Sequence, residues 1–289
     1  MLLLLIVSVV WAFSFGLVKS LAGLDSTAVA VVRLAVALAV FAFFFRRRGI
    51  GAGAMLRLAG VGALQFGAVY ALYQRSYAHL HAYEVALFTI TTPIFVALID
   101  AALERRLRMR YLAAAALSVA GAGVVVWKSV GDSGVLAGFV LVQLSNLCFA
   151  AGQLFWRRER SRIPPAVTDA SLFALPFAGG LAFTLAVSLI LTDWHAFSPT
   201  RTQWETIAYL GAVASGLGFF LWNVGASRVN AGILAAFNNA KIPLGIAVSL
   251  LVFGERADLA RLLIGGALMA LGVWAAGAKP GRARQAAVS

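Results

Sequence analysis

Apolar residues group into long runs along the chain, and short polar or basic stretches separate one run from the next. A run of about 20 apolar residues is long enough to cross the hydrocarbon core of a bilayer as a helix. Very short loops join spans 3 and 4 and spans 8 and 9, which predicts two helical hairpins. The pattern predicts ten such spans in chain order, at 2–22, 26–45, 55–78, 83–103, 111–128, 135–156, 170–192, 204–227, 231–253 and 259–277.

Spans 4 and 9 have similar sequences, which read YEVALFTITTPIFVALIDAALERR and AGILAAFNNAKIPLGIAVSLLVFGER. Pro93 of the first corresponds to Pro243 of the second, and Glu104 corresponds to Glu255, each pair separated by roughly half the chain. Because each half holds five spans, an odd number, the second half must enter the membrane inverted relative to the first. The predicted fold class is an all-α polytopic membrane bundle of 10 transmembrane helices in two inverted five-helix repeats, with spans 4 and 9 facing each other at the centre.

The predicted domain organisation follows from this repeat. Residues 1–289 form a single transmembrane domain, in which 1–129 hold the N-terminal repeat with helices 1–5 and 130–279 hold the C-terminal inverted repeat with helices 6–10. The remaining residues, 280–289, are expected to form a cytoplasmic tail.

Composition agrees with a membrane protein, because 62% of the residues are hydrophobic and 12% are charged, whereas soluble proteins have about 25% charged residues. The net charge of +13 could indicate nucleic-acid binding, but basic cytoplasmic loops explain it without a nucleic-acid partner. With both termini in the cytoplasm, sixteen of the 24 basic residues fall on the cytoplasmic side and six on the opposite side. This asymmetry predicts that orientation.

Polar and aromatic side chains recur at intervals of three or four residues in spans 1, 3, 6 and 8, which places them on one face of each helix. If these faces met lipid, their polar groups would lack hydrogen-bond partners. We therefore expect spans 1, 3, 4, 6, 8 and 9 to enclose a water-filled cavity, although such groups can also join one helix to another. The residues predicted to bind substrate are Trp11, Phe15, Tyr70, Tyr73, Gln74, Tyr77, Thr89, Asn146, Gln153, Phe219, Trp222, Asn223, Asn238 and Lys241.

Lys241 is the strongest single candidate for substrate binding, because it lies two residues before Pro243 near the middle of span 9. A buried ammonium beside a break in a helix can attract an anionic group, and the alternative is pairing with Glu84 or a backbone carbonyl. Arg33 in span 2 is expected to be structural, with its side chain extending to the outer interface. No Asp or Glu can be placed at mid-membrane, which favours a substrate with a carboxylate or zwitterionic character over a cation.

Three residues are predicted to act in opening and closing, with Pro93 and Pro243 as hinges and His79 as a gate residue. A Pro in a spanning helix leaves a carbonyl free and supplies a bend. His79 and His81 form a pair without a Cys or carboxylate cluster nearby, so neither a metal site nor a cofactor is predicted. Glu255, at the end of span 9, is expected to cap a helix or pair with a loop.

Spans 5 and 10 contain many small residues and no polar stripe, as in YLAAAALSVAGAGVVVW and LARLLIGGALMALGVWAAG. Small residues let helix backbones approach closely in membranes. These two spans are therefore predicted to pack at the periphery of the bundle or to form the seam of a homodimer via helices 5 and 10.

Several of these features together resemble the drug/metabolite transporter superfamily, in particular its EamA-type exporters with ten spans. They are two copies of five spans, WAFSF in span 1, Arg33 in span 2 and a Pro followed eleven or twelve residues later by Glu-Arg. GERADLARLLIGGALMALGV is the most specific segment, whereas LERRLRMR in the first half departs from the Gly-Glu-Arg pattern. The resemblance implies an inner-membrane exporter of small metabolites, often amino acids, and the aromatic stripes are similar to those of exporters of aromatic and neutral amino acids.

Residues and resemblance together predict a transporter and not an enzyme, since paired carboxylates, a His-rich set and a Gly-rich phosphate loop are absent from the sequence. The expected function is export of aromatic or neutral amino acids across the cell inner membrane by alternating access, either uncoupled or as exchange. Cationic drugs and other organic anions are the alternative substrates, and a non-transporting membrane subunit is less favoured. The expected partners are an amino acid-like small molecule, membrane lipid and a second copy of the chain.

Overall fold

The computed structural model describes residues 2–47, 49–103, 109–126, 133–229 and 231–277, and the regular elements in these ranges are helices, with no strand among them. The first and last residues of each helix lie near the bounds of a predicted span, so the prediction of an all-α membrane bundle is confirmed. The helices are α1 (Leu2–Lys19), α2 (Ser26–Ala42), α3 (Ala52–Ser76), α4 (Ala82–Leu103), α5 (Met109–Val126), α6 (Ser133–Ser161), α7 (Asp169–Leu191), α8 (Arg201–Ser227), α9 (Ala231–Leu251) and α10 (Leu259–Gly277).

Six of the described helices are long and apolar enough to cross a membrane, namely α1, α3, α4, α6, α7 and α8. The helix α2 and the segment Leu259–Gly272 of α10 are also apolar but shorter. Large apolar side chains face outward from the bundle, for example Leu189 and Ile190 of α7 and Trp274 of α10. A surface of this kind is suited to contact with lipid chains, which solvate it without the cost of ordering water.

The helices nearest the centre of the bundle contain irregular turns. Thr92 Oγ1 donates at 2.7 Å to the Thr89 carbonyl, which lacks its usual α-helical donor because Pro93 has no N–H. Ser215 Oγ likewise donates at 2.7 Å to the carbonyl of Leu210, five residues earlier in a wide π turn. Such turns are often found at functional sites. The π turns cover Ala63–Ala68 in α3 and Leu210–Leu217 in α8, and a 3-10 turn covers Thr89–Thr91 in α4.

Helix α7 crosses α3 with backbone against backbone. A Cβ atom placed on Gly62 would lie 1.8 Å from the carbonyl oxygen of Pro176, and one placed on Gly179 would lie 1.9 Å from that of Ala59. No side chain fits within such distances, so glycine at both positions is what allows the two helices to cross. This crossing fixes the position of α3, which contributes three residues to the central cavity.

The helices α5 and α10 pack along each other at one side of the bundle. A Cβ atom on Gly121 would lie 2.5 Å from the carbonyl oxygen of Gly265, and the reverse distance is also 2.5 Å. The small-residue faces of these helices therefore meet within one chain, as predicted for peripheral packing. A homodimer via helices 5 and 10 would have to use their outward apolar side chains, such as Leu271 and Trp274.

The two helices that contain proline, α4 and α9, pack against each other and against α1. Gly245 of α9 permits this approach, since a Cβ atom there would lie 2.9 Å from the Phe15 ring. Pro93 is buried, whereas Pro243 lies on an exposed side of α9, so the prolines do not both point to the centre. Glu104, the counterpart of Glu255 in the first repeat, lies outside the described residues.

Glu255, in the loop after α9, caps the N-terminus of α4. Its Oε1 accepts a hydrogen bond from the Ala82 N–H at 2.9 Å, and its Oε2 accepts one from the Tyr83 N–H at 3.1 Å. The Ser249 hydroxyl also donates to this carboxylate. A carboxylate at a helix start satisfies free N–H groups and interacts favourably with the helix dipole. The predicted capping role of Glu255 is therefore confirmed, and the capped helix belongs to the other half of the chain.

Replacing Glu255 with alanine should lower the midpoint of thermal unfolding, because both N–H groups of α4 lose their acceptor. Loss of a helix cap costs about 1 kcal/mol, which corresponds to about 3 °C for a protein of this size. Thermal unfolding of the detergent-purified protein measures the shift. Glu205→Ala is the matched control, since Glu205 pairs with Arg201 on an exposed surface. An equal fall in both variants would contradict the capping role.

Candidate functional site

A cavity of about 80 Å³ lies between the central helices. Residues of α1, α3, α4, α6, α8 and α9 line it, which are the six helices predicted, together with Arg33 of α2, which was not predicted. Of the described lining residues none is acidic. The lining side chains are Trp11, Ser14, Phe15, Val18, Arg33, Val69, Tyr70, Tyr73, Thr89, Thr92, Ser145, Asn146, Phe149, Phe219 and Lys241.

Lys241 places its ammonium group among three aromatic rings, two of which line this cavity. The Nζ atom lies 4.8 Å from the centre of the Trp11 ring and 5.6 Å from those of Phe149 and Trp222. The side chain is buried, and it forms no ion pair or hydrogen bond with a described residue. Glu84, its alternative partner, accepts a backbone hydrogen bond at the start of α4 instead. An ammonium held only by ring faces is available to an anionic ligand.

Arg33 lies on the cavity wall and is only 3% exposed, so the expectation that it reaches the outer interface is wrong. Its Nη1 donates to Gln74 Oε1 at 3.2 Å, and its Nη2 donates to Tyr70 Oη at 3.0 Å and to Ser215 Oγ at 3.1 Å. The guanidinium carbon also lies 4.4 Å from the centre of the Tyr70 ring. The side chain stays inside because these acceptors satisfy donors that lipid would leave unpaired. All of them are neutral, and no described carboxylate pairs with Arg33.

The part of the wall formed by α4 and α6 carries neutral polar groups. Asn146 Nδ2 donates to the Phe88 carbonyl at 2.9 Å and to Thr91 Oγ1 at 3.0 Å. The hydroxyl groups of Thr89 and Ser145 donate to backbone carbonyls at 2.7 and 3.3 Å. Because these hydroxyl protons are used within the protein, their oxygens remain as acceptors for N–H groups of a ligand.

Eight of the fourteen residues predicted to bind substrate line this cavity. They share one face on each helix because the spacing of three and four residues matches the helical turn. Their role in binding stays a prediction. The eight are Trp11, Phe15, Tyr70, Tyr73, Thr89, Asn146, Phe219 and Lys241.

The other six lie beside the cavity and not on its surface. Gln153 Oε1 accepts a hydrogen bond from Trp222 Nε1 at 3.1 Å, and Asn223 Oδ1 accepts one from Gln65 Nε2 at 3.1 Å. The helical rise explains why Gln153 lies beside the cavity, since it is two turns, about 10 Å, further along α6 than Asn146. The six are Gln74, Tyr77, Gln153, Trp222, Asn223 and Asn238, all of them buried.

Two layers of buried side chains flank the cavity along the bundle. The bonded pairs Gln153–Trp222 and Gln65–Asn223 form the layer toward the start of α1. Toward the end of α1, the hydroxyl groups of Tyr73 and Tyr77 lie 2.5 Å apart. Lys19 Nζ donates from the same end to the carbonyls of Tyr77 and Leu80, both at 2.8 Å. The cavity therefore lies between two layers of hydrogen-bonded side chains.

Seven lining residues were not predicted as binding residues. Ser145 and Phe149 lie one residue before and three residues after Asn146 on α6, so the polar stripe there could have indicated them. Val18 and Val69 are apolar, and nothing in the sequence separates them from lipid-facing valines. The seven are Ser14, Val18, Arg33, Val69, Thr92, Ser145 and Phe149.

None of the predicted hinge or gate residues lines the cavity. His79 is exposed in the loop between α3 and α4, and its movement, like that of Pro93 and Pro243, stays a prediction. In the part of the chain that the structure describes, no group of three or more His, Cys, Asp or Glu side chains could hold a metal ion.

Comparison with known proteins places this chain in a family of membrane transporters. The model of the EamA-like transporter family matches residues 1–127 and again residues 136–277. The chain belongs to this family, and the resemblance to drug/metabolite transporters is confirmed. A solved crystal structure, described only as that of a protein, is 18% identical and covers 99% of this chain and 98% of its own, with a TM-score of 0.66, which shows the shared fold.

Relatives with specific names are similar along almost the whole chain. The probable biotin transporter of Pseudomonas aeruginosa is 38% identical over 277 residues, which cover 94% of this chain and 95% of that protein. The biotin transporters of Salmonella typhimurium and Escherichia coli K12 are each 36% identical over 277 residues, covering 95% of this chain and 92% of theirs. These names do not support the amino acid substrate expected from the sequence.

Proposed function

We propose that the protein carries biotin, or a chemically similar monocarboxylate, across the cell inner membrane. One observation carries this proposal: two cationic side chains, Arg33 and Lys241, line a buried cavity in which no described residue is acidic. A charge in such a place is costly unless an opposite charge joins it. A carboxylate brought by the substrate meets this need, and the names of the full-length relatives favour biotin.

A free amino acid is the second candidate, because the same cavity offers cations for a carboxylate and rings for an aromatic side chain. It fits less well than biotin, since its own ammonium group also needs an anion or a free ring face. The faces of Trp11, Phe149 and Trp222 already surround the Lys241 ammonium. Cationic drugs meet the same obstacle, and a non-transporting subunit would have no use for a polar cavity.

Biotin has three chemically different parts, and the cavity has a matching group for each. Its carboxylate pairs with Lys241, whose ammonium lies among aromatic rings. Its aliphatic chain and fused ring pack against aromatic side chains such as Phe219. Its ureido N–H groups donate to the oxygens of Thr89 and Ser145. The cavity volume of about 80 Å³ is smaller than the roughly 300–1,000 Å³ that is usual for small-molecule sites, so the cavity must widen to hold the whole molecule.

The proposed architecture is ten membrane-spanning helices in two inverted repeats, 1–129 and 130–279, with both termini in the cytoplasm. Two observations favour the repeat. The family model matches each half of the chain separately, and the π turns occur in the third helix of each half, at Ala63–Ala68 and Leu210–Leu217. The orientation rests on the excess of basic residues in the loops predicted to be cytoplasmic.

Transport would proceed by alternating access, in which the two buried layers open in turn. The hairpins α3–α4 and α8–α9 are the proposed moving parts, with Pro93 and Pro243 as hinges and His79 at the outer gate. Because no carboxylate lines the described cavity, we propose uncoupled transport or exchange. Net flux then follows the substrate gradient, so export occurs when the cytoplasmic concentration is the higher one.

Entry of labelled biotin into proteoliposomes tests this function. We expect entry without an imposed proton gradient, and we expect excess unlabelled biotin to abolish it while an equal excess of phenylalanine leaves most of it. Protein-free liposomes supply the background. Full competition by phenylalanine would favour amino acid transport instead, and strict dependence on a proton gradient would contradict the uncoupled mechanism.

A further inference from the structure

A second cavity, the α3–α6 crevice, opens at the end of the bundle where α3 begins and α6 ends. Its volume is about 460 Å³, and it is separate from the substrate cavity. Arg57 of α3, Arg158 and Glu159 of α6, and Arg162 directly after α6 surround its mouth. In the proposed orientation this end of the bundle lies at the cytoplasmic leaflet.

Three arginines lie at this mouth, and two of them share one carboxylate. Glu159 accepts hydrogen bonds from Arg57 Nε at 2.6 Å and from Arg162 Nη1 at 2.7 Å, and its own side chain is only 9% exposed. Arg158 is exposed and forms no ion pair with a described residue. The pairing with Glu159 holds two guanidinium groups in place and leaves an excess of positive charge. Arginine groups held in this way are suited to phosphate oxygens, which they bind through paired N–H donors.

The walls below the mouth are apolar. Val61 and Leu64 lie one and two turns further into the bundle along α3, and Phe155 lies one turn further along α6. A Cβ atom placed on Gly60 would meet nothing within 4 Å, so this position faces open space in the crevice. A cationic mouth above an apolar interior has the polarity profile of a phospholipid, whereas a free phosphate would use the mouth alone.

We propose that the α3–α6 crevice binds an anionic glycerophospholipid of the cytoplasmic leaflet. The phosphate lies against Arg57 and Arg158, and an acyl chain follows Val61, Leu64 and Phe155. Basic pockets between membrane helices on the cytoplasmic side bind such headgroups. The bound lipid would hold α3 against α6, two helices that also line the substrate cavity. This site does not depend on the identity of the transported molecule.

Native mass spectrometry of the full-length protein in detergent tests the site, with dioleoyl phosphatidylglycerol as the probe. We expect this lipid to bind more tightly than dioleoyl phosphatidylcholine, and we expect Arg158→Gln to weaken its binding about five-fold, since a basic residue near anionic lipid contributes about 1 kcal/mol. Arg157→Gln is the matched control, because it removes the same charge from the neighbouring residue, which does not line the crevice.

A second variant separates the lipid chain from the charge. Gly60→Leu fills the crevice without changing any charge, so it should reduce binding of phosphatidylglycerol as well. Equal affinity for the two lipids, or an equal loss in Arg157→Gln and Arg158→Gln, would overturn the proposal. Displacement of the lipid by inorganic phosphate at millimolar concentration would also overturn it, since that result indicates a phosphate site without a lipid chain.

Discussion

Replacing Lys241 with methionine should reduce the rate of biotin transport about 100-fold. Loss of one partner from a buried charge pair costs about 2–5 kcal/mol, and about 2.7 kcal/mol is a factor of 100. Methionine has a similar length and packs well against rings such as Trp11 and Phe149. The fold should therefore survive, and the loss should appear in transport alone.

The initial rate of labelled-biotin entry into proteoliposomes measures this effect. Arg75→Met is the matched control, because Arg75 is exposed and does not line the cavity. We expect the control to transport biotin at the unaltered rate. A Lys241→Met protein that keeps more than half of the transport rate would contradict the role of Lys241. An equal loss of rate in Arg75→Met would show that the change in net charge causes the effect.

Replacing Gly62 with alanine should greatly reduce the amount of folded protein. Its new methyl group would lie 1.8 Å from the Pro176 carbonyl oxygen, which is backbone and cannot turn away as a side chain would. Overpacking of this kind costs about 3 kcal/mol or more, because α3 and α7 must move apart. The lost contact extends along the crossing, where Gly179 depends on the same short distance to Ala59.

Size-exclusion chromatography of the detergent-extracted protein measures the folded yield. Gly60→Ala, on the same helix, is the matched control, since its methyl group would meet nothing within 4 Å. Alanine also has a better helix propensity than glycine, so we expect an unchanged or slightly higher yield of folded Gly60→Ala protein. Equal yields of Gly62→Ala and Gly60→Ala protein would show that the helices do not cross at the distance described.

The helices of this fold are predictable because each is a long apolar run ended by polar residues. The structure departs mainly at α6, which continues to Ser161, beyond the predicted end at residue 156. Its last turns contain Arg157, Arg158 and Arg160, which are polar but form helices well. Hydropathy predicts where a helix leaves the lipid and not where the helix ends. No apolar residues in the sequence therefore indicate this extension of α6.

The cavity is predictable where a stripe of polar residues runs along one helix, as for Asn146 on α6. The Arg33 site differs because its partners come from two helices, α3 and α8, that are distant from α2 in sequence. Ser215 contacts Arg33 from the π turn of α8, and no pattern of residue spacing in the sequence predicts a π turn. Gln74 and Tyr70 belong to the α3 stripe, and both accept hydrogen bonds from Arg33. A buried cation whose partners are all neutral becomes visible only when the helices are packed together.

The pairing of Lys241 with the substrate carboxylate is tested most directly by the affinities of the purified protein for biotin and for biotinamide, in which a neutral amide replaces the carboxylate. The unaltered protein should bind biotin about 100-fold more tightly than biotinamide, as expected for one buried charge pair. In Lys241→Met the two affinities should become nearly equal. A preference for biotin that is the same in both proteins would contradict the pairing.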